Sequence, residues 1–267
     1  MVLAVAFLLP IVWTLIGSLM TAQEVTQRFV GSASLPAQPQ GLTLIPNRLT
    51  ISQLYSVLVE KPQYLSMFWN SVKYSVSITL LVNVVAIPSA FVFAKLRFKG
   101  SKSLFFLYVV TMMMPFQVTL LPNYIMLSNL SLLNKSWAVI LPSIFGPFGV
   151  FLLHQFMKNI PQSLIEAAYL ETKSVFAVVR HVVIPSASTG IIAMNVLVFA
   201  ECWNMVEQPA IFLKNQADLP LSAAMNGMIA DNMGISFAGS LLYLIPVVLL
   251  FLLFQEKIIA GLKRLRW

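Results

Sequence analysis

Six apolar stretches, each near the length that carries a helix across a bilayer, run through this chain at about 1–20, 69–94, 104–121, 137–156, 188–206 and 237–254. A hydrocarbon core of about 30 Å takes about 20 mostly apolar residues as a helix, and in lipid every backbone N–H and C=O must find its partner within the segment. The pattern therefore predicts an all-α integral membrane protein with six transmembrane helices. Composition excludes the alternative of a soluble globular domain. Of 267 residues 58 % are hydrophobic and only 10 % charged, against about a quarter charged in soluble domains. The first stretch lacks a basic lead and exceeds the 7–15 residues usual for the apolar part of a signal peptide, so it reads as a retained span that starts inside a longer helix.

The net charge is +8. In a soluble protein such a balance points to nucleic acid, but here the basic residues lie between the apolar stretches and act as topology signals, so nucleic acid is not an expected partner. With the first helix running outward, Lys95, Arg97, Lys99, Lys102, Lys158, Lys173, Arg180, Lys257, Lys263, Arg264 and Arg266 fall on the inner side. The outer loops hold Arg28, Arg48, Lys61, Lys135 and Lys214. The asymmetry, with an even number of spans, places both termini in the cytoplasm. Trp69 and Trp137 fall at the outer interface and Trp267 at the inner one, as an aromatic belt against membrane lipid requires.

Between the spans, 31–62 holds four of the 15 prolines with several Ser, Gln and Asn, and reads as an extended extracytoplasmic loop. No internal repeat marks an inverted-repeat transporter. Pro10, Pro88, Pro115, Pro122, Pro142, Pro147 and Pro246 sit inside or at the edges of spans, which predicts bent helices around a cavity. The inner segment 157–185 is long and amphipathic. Pro161 is placed like a first-turn proline and Ser163-Leu164-Ile165-Glu166 fits a capping box, predicting a helix start there. After it Val175, Phe176, Val178, Val179, Val182 and Val183 recur near helical spacing until Pro185, which should end the run. Two short helices on the cytoplasmic face would offer a compact knob to a partner protein.

That segment carries a family resemblance. Glu166-Ala167-Ala168, three residues, Thr172, nine residues, then Val182-Val183-Ile184-Pro185 resembles the EAA loop of permease subunits of binding-protein-dependent ABC importers. The loop's pattern is Glu-Ala-Ala, three residues, Gly, nine residues, Ile, any residue, Leu, Pro. Glu171-Thr172 stands where the family usually has Asp-Gly. A glycine there would suit a turn at positive φ, which a β-branched threonine adopts poorly. Matches to the second permease of maltose and multiple-sugar importers continue along nearly the whole chain. They include Phe68-Trp69-Asn70-Ser71, Phe93-Ala94-Lys95-Leu96-Arg97-Phe98, Met114-Pro115, Leu133-Asn134, Phe151 to Phe156, Cys202-Trp203-Asn204 and Leu219-Pro220-Leu221.

The resemblance implies the fold of type I importer permeases, as a single permease domain over 1–267. It also implies a second permease subunit, a pair of ATP-binding cassette ATPases, an extracytoplasmic solute-binding protein met by the outer loops 31–62 and 207–236, a carbohydrate substrate and a bacterial cytoplasmic membrane. Glu166, Ala167 and Ala168 would dock in a cleft of the ATPase, Glu171 and Thr172 would form the turn, and Pro185 would fix re-entry into the membrane. Two alanines admit another backbone closely, and Glu166 can accept charge-assisted hydrogen bonds from a basic partner. The chain carries no G-x-x-x-x-G-K-[ST] phosphate loop, so ATP and Mg belong to the partner ATPase and no cofactor is expected on this chain.

Glu201 is the carboxylate placed deepest in an apolar stretch. A charge at mid-helix costs about 2.5–3.5 kcal/mol on insertion scales, so it should face the bundle interior or water. Glu201 and Asn204 are candidates to hydrogen-bond a polyhydroxylated solute while Trp203 stacks on it. Competing readings pair Glu201 with the other permease or place it near the outer surface. A stand-alone ion-coupled transporter using Glu201 as its coupling carboxylate is the alternative from another class. A membrane enzyme would need a polar catalytic constellation, and none is present. His154 and His181 have no metal-ligand spacing and read as structural, as does the Met112-Met113-Met114 run. Cys202, the single cysteine, excludes an internal disulfide.

Overall fold

The computed structural model describes residues 2–29, 46–225 and 233–265. The described residues contain helices and turns and no strand. The helices are α1 (Val2–Ser18), α2 (Ala22–Phe29), α3 (Ser52–Tyr55, continued by a π turn at Ser56–Glu60), α4 (Pro62–Lys95), α5 (Ser101–Val110, continued by a 3₁₀ turn at Thr111–Met113), α6 (Phe116–Asn129) and α7 (Ser136–Ile144). They continue with α8 (Pro147–Lys158), α9 (Gln162–Glu171), α10 (Val175–Val178, continued by a π turn at Val179–Val183), α11 (Ile184–Ser186), α12 (Ser188–Trp203), α13 (Glu207–Phe212) and α14 (Met233–Leu265).

Three helical segments are long and apolar enough to cross a membrane: Pro62–Lys95, Ser136–Lys158 and Met233–Glu256. Two more crossings arise if each bent pair counts once, Ser101–Met113 with Phe116–Asn129 at 99° and Val175–Ser186 with Ser188–Trp203 at 80°. The apolar helix Leu8–Ser18 is shorter. The apolar stretch 104–121, expected to bend at its prolines, is broken at Met114-Pro115. Met114 (φ −71°, ψ 126°) and Pro115 (φ −56°, ψ 135°) are extended, because a residue before proline is pushed out of the helical region and Pro115 has no N–H to continue the ladder. Pro10, Pro88, Pro122, Pro142 and Pro246 remain inside helices. The loop predicted as extended over 31–62 is helical over Ser52–Glu60, while 31–45 and Trp267 lie outside the described residues.

The chain divides into two compact units, 1–71 with 215–249 and 72–214 with 250–267. In the first, Val57, Tyr64, Met67, Leu221, Ile235 and Ala238 form a buried apolar cluster. Ser71 Oγ accepts from Leu221 N at 2.8 Å and Asn70 Nδ2 donates to Ala217 O at 2.7 Å, so the start of α4 is tied to the connection 215–221, which holds a 3₁₀ turn at Gln216–Asp218. Glu24 pairs with Arg28 at 2.6 Å and accepts from Asn47 N at 2.8 Å.

In the second unit α4, α8 and α12 approach closely at small residues. A Cβ at Gly149 would stand 3.1 Å from Val82 Cγ1 and 3.2 Å from Met194 S, and one at Gly190 would collide with the Phe156 ring. Small residues serve membrane helices this way because packing, and not water exclusion, drives their association. Asn83 Nδ2 donates to Asn195 Oδ1 at 2.6 Å, joining α4 to α12. Leu127, Ala138 and Phe212 make a second cluster. Asn134, at φ 61°, sends its N–H to Phe212 O at 3.0 Å and accepts from Lys214 N at 2.9 Å.

Candidate functional site

Two features of the second unit bear on function, the helix pair of the inner segment and a cavity among broken helices. Helix α9 buries Ile165 and Ala168, three residues apart on one stripe, and exposes Glu166, Ala167 and Glu171. It packs on α10 and the π turn that follows. The exposed side also carries apolar groups: Leu170 is 90 % exposed, Phe176 73 %, and Leu164 and Val175 are exposed as well.

Two expectations for this segment are corrected, the capping box and the end of the run at Pro185. Pro161 (φ −58°, ψ 133°) is the N-cap itself, so Ser163 already lies inside α9 and no side chain caps the helix start. The capping box does not form, and the Glu166 carboxylate stays at the surface. Pro185 does not end its helix: the π turn ahead of it lets Ile184 N bond Val179 O, and the chain stays helical through Ser186 before turning at Ala187 (φ −95°, ψ 7°). Thr172 is extended at φ −145° and ψ 138°, a conformation a β-branched residue favours, and not a positive-φ turn. Its N–H bonds Ala168 O at 3.0 Å and its Oγ1 accepts from Ser174 N at 3.2 Å, while Ser174 Oγ accepts from Ala177 N at 3.3 Å to cap α10. Thr172→Gly is thus expected to loosen the turn. It removes a hydroxyl acceptor and adds unfolded-chain entropy, together about 1–2 kcal/mol, which appears as faster amide exchange over 172–177.

At the base of α9, Lys95 from the end of α4 donates its ammonium to Lys158 O at 3.1 Å and to Ile160 O. These carbonyls close α8, where a cation also complements the helix dipole.

The cavity has a volume of about 880 Å³, and every residue lining it falls between 82 and 208. Three interruptions of helix open onto it: the turn at Met114, the Phe145-Gly146-Pro147 break between α7 and α8, and the Asn204-Met205-Val206 break between α12 and α13. Irregular backbone at membrane depth is stable only when buried in protein or lining a water-filled space, which matches these breaks and the polar side chains beside them. Apolar walls come from Met112, Phe116, Phe145 and Phe148. Polar groups come from Gln117, Asn123, Ser143, Glu201, Asn204, Glu207 and Gln208. Gln117 Nε2 donates to both Glu207 oxygens at 3.2 and 3.3 Å. Gln208 Nε2 donates to Val139 O at 3.0 Å and its Oε1 accepts from Ser143 Oγ at 3.3 Å.

Of the predicted pathway residues, Glu201 and Asn204 line this cavity and Trp203 does not. Helix α12 stops at Trp203, so Glu201 stands in its last turn and not at mid-helix. Asn204 is the C-cap, its Nδ2 donating to Ala200 O at 2.7 Å. Trp203 is 0 % exposed and stacked on Phe199 at 5.7 Å and 12°, so it offers no face to a solute. Trp203→Ala is expected to cost about 3–5 kcal/mol by leaving a cavity, read as a lowered Tm in detergent with Trp203→Phe milder. Phe116, Phe145 and Phe148 supply the aromatic surface instead. Gln117, Ser143, Glu207 and Gln208 were not legible as site residues, because helix breaks and not sequence spacing assemble them.

The family described as binding-protein-dependent transport system inner membrane component matches residues 83–262. The arabinooligosaccharide transport system permease protein AraQ of Halalkalibacterium halodurans is 30 % identical over 227 residues, covering 83 % of this chain and 81 % of that protein. AraQ of Bacillus subtilis is 26 % identical, covering 98 % and 91 %. The sn-glycerol-3-phosphate transport system permease protein UgpE of Salmonella typhi is 29 % identical, covering 83 % and 82 %. In fold, the chain is similar to a bacterial ABC transporter involved in the import of the acidic polysaccharide alginate, with a TM-score of 0.82 at 20 % identity over 96 % of this chain and 92 % of that one. A stand-alone ion-coupled transporter finds no support among these matches. The broken apolar helices and the matches to transport subunits lead to one conclusion: this chain belongs to the family of inner membrane components of binding-protein-dependent transport systems.

Proposed function

We propose that the chain is one of two permease subunits of an ATP-driven carbohydrate importer in a bacterial cytoplasmic membrane. It crosses six times with both termini inside, α1, α4, α5 with α6, α7 with α8, α12 and α14 being the crossings. The observation that carries the reading is the α9–α10 pair, which presents Glu166, Ala167 and exposed Leu170 and Phe176 on a segment spaced like an EAA loop. In this reading Glu166, Ala167, Ala168, Glu171 and Thr172 meet a separate ATPase that holds ATP and Mg, and Pro185 lies where the segment turns back to the membrane. ATPase closure then shifts the permease pair between inward-open and outward-open states by differential affinity. An extracytoplasmic solute-binding protein delivers the cargo.

The cavity contributes to the pathway, with Glu201 and Asn204 among its polar groups. Its carboxylates, amides and hydroxyls beside aromatic rings suit a polyhydroxylated solute, whose hydroxyls can donate and accept. The names of the relatives support the carbohydrate class. Affinity purification of the C-terminally tagged chain from its native membrane tests the assembly. Recovery of an ATPase, a second permease and a solute-binding protein is expected; recovery of this chain alone overturns the reading.

A further inference from the structure

We propose that the cavity admits neutral or amine-bearing saccharides and excludes anionic ones, with Glu201 and Glu207 setting that preference. The inference rests on the cavity's being part of the solute pathway, and it narrows the substrate class within that reading. The charged residues lining the cavity are these two glutamates, and no lysine, arginine or histidine is among the lining residues. A carboxylate or phosphate is bound by charge-assisted donors, above all guanidinium and ammonium groups. Three of the four side-chain amides lining the cavity already point their donors at protein acceptors, Gln117 at Glu207, Gln208 at Val139 O and Asn204 at Ala200 O, which leaves Asn123.

The placement of Glu201 is the second, independent observation. It stands in the last turn of α12, where the helix dipole disfavours a negative charge, and no salt bridge among the described residues neutralises it. A carboxylate set against its own helix dipole and open to a cavity is disfavoured where it stands, which a role toward solute accounts for. Glu207 differs: it lies in the first turn of α13, a favourable end, and is fixed by Gln117. One carboxylate is held in place by the protein and the other is turned to the cavity. Together they make its potential negative and leave acceptors for the hydroxyls or ammonium groups of a sugar.

Thiol labelling reads that potential without knowledge of the cargo. In the purified complex, with Cys202→Ala as background, Asn204→Cys and separately Phe145→Cys, which sits on an exposed cavity wall, are treated with two methanethiosulfonates of similar size. One carries a trimethylammonium group and the other a sulfonate. Rates are taken on this chain and divided by the rates for a free small thiol. A charged cleft raises local counter-ion concentration by about tenfold or more, so the expected normalised ratio is at least about ten in favour of the cation, falling toward unity with Glu201→Gln plus Glu207→Gln. A normalised ratio near one, or one unmoved by the double substitution, overturns the proposal. The same preparation is scored for the ATPase and second permease. Partners present with a ratio near one overturns the charge selection alone, and partners absent with a high ratio overturns the importer reading alone.

Discussion

Glu166→Arg is expected to release the ATPase from the purified complex while the second permease stays bound. Glu166 is exposed on α9 and caps nothing, since the helix starts at Pro161 without a side-chain cap. Reversing its charge therefore leaves the fold of this chain intact, and Tm in detergent should change by no more than a surface substitution allows. At a docked interface the same change replaces an acceptor for charge-assisted hydrogen bonds with a like charge, a cost of about 2–5 kcal/mol or more. That corresponds to a loss of affinity of about 30-fold to several thousand-fold, and ATP-dependent uptake should be abolished with it. Glu166→Gln should be milder, since it keeps an acceptor. Retention of the ATPase by the arginine variant would show that α9 is not the docking element.

A close-packing effect that a double substitution can isolate is expected at Gly190. It is buried in α12, and a Cβ there would collide with the ring of Phe156 and come within 2.8 Å of its Cβ, a part of the side chain that cannot swing away. Gly190→Val should destabilise by about 1–3 kcal/mol through overpacking and reduce the amount of folded protein recovered from membranes. Phe156→Ala is destabilising alone because it removes buried contacts. In the double variant the cavity takes up the added bulk, so the two costs should fall short of additivity by about 0.5–3 kcal/mol, as for residues in contact. Strict additivity would mean that α8 and α12 do not meet at this pair.

The helices were legible because length and hydropathy alone decide what can cross a bilayer, and the inner segment was legible because its spacing is distinctive. Details set by hydrogen bonding were not. Ser163 and Glu166 match a capping box in spacing, but Pro161 takes the cap position and leaves Ser163 two residues inside the helix. Pro115 breaks its span while Pro122, seven residues on, stays inside α6, a difference that sequence spacing alone does not reveal. Trp203 reads as a binding residue near Glu201, yet positions two apart on a helix point about 160° apart, so one faces the cavity and the other the packed interior. The lining of the cavity escaped because Gln117, Ser143 and Glu207 come from three helices whose breaks had to be placed first.

The lysine at the end of α4 has a mechanical meaning. One ammonium grips two carbonyls at the root of the inner segment, 63 and 65 positions along the chain from it. A donor held by two acceptors resists rotation as well as separation, so the junction acts as a pinned joint and not as a ball joint. A tilt imposed on α9 from outside has this pin as a route into the foot of α4, beside the packing of α9 on α10 and the π turn. Force applied at the surface can thereby reach a helix of 34 residues through one side chain.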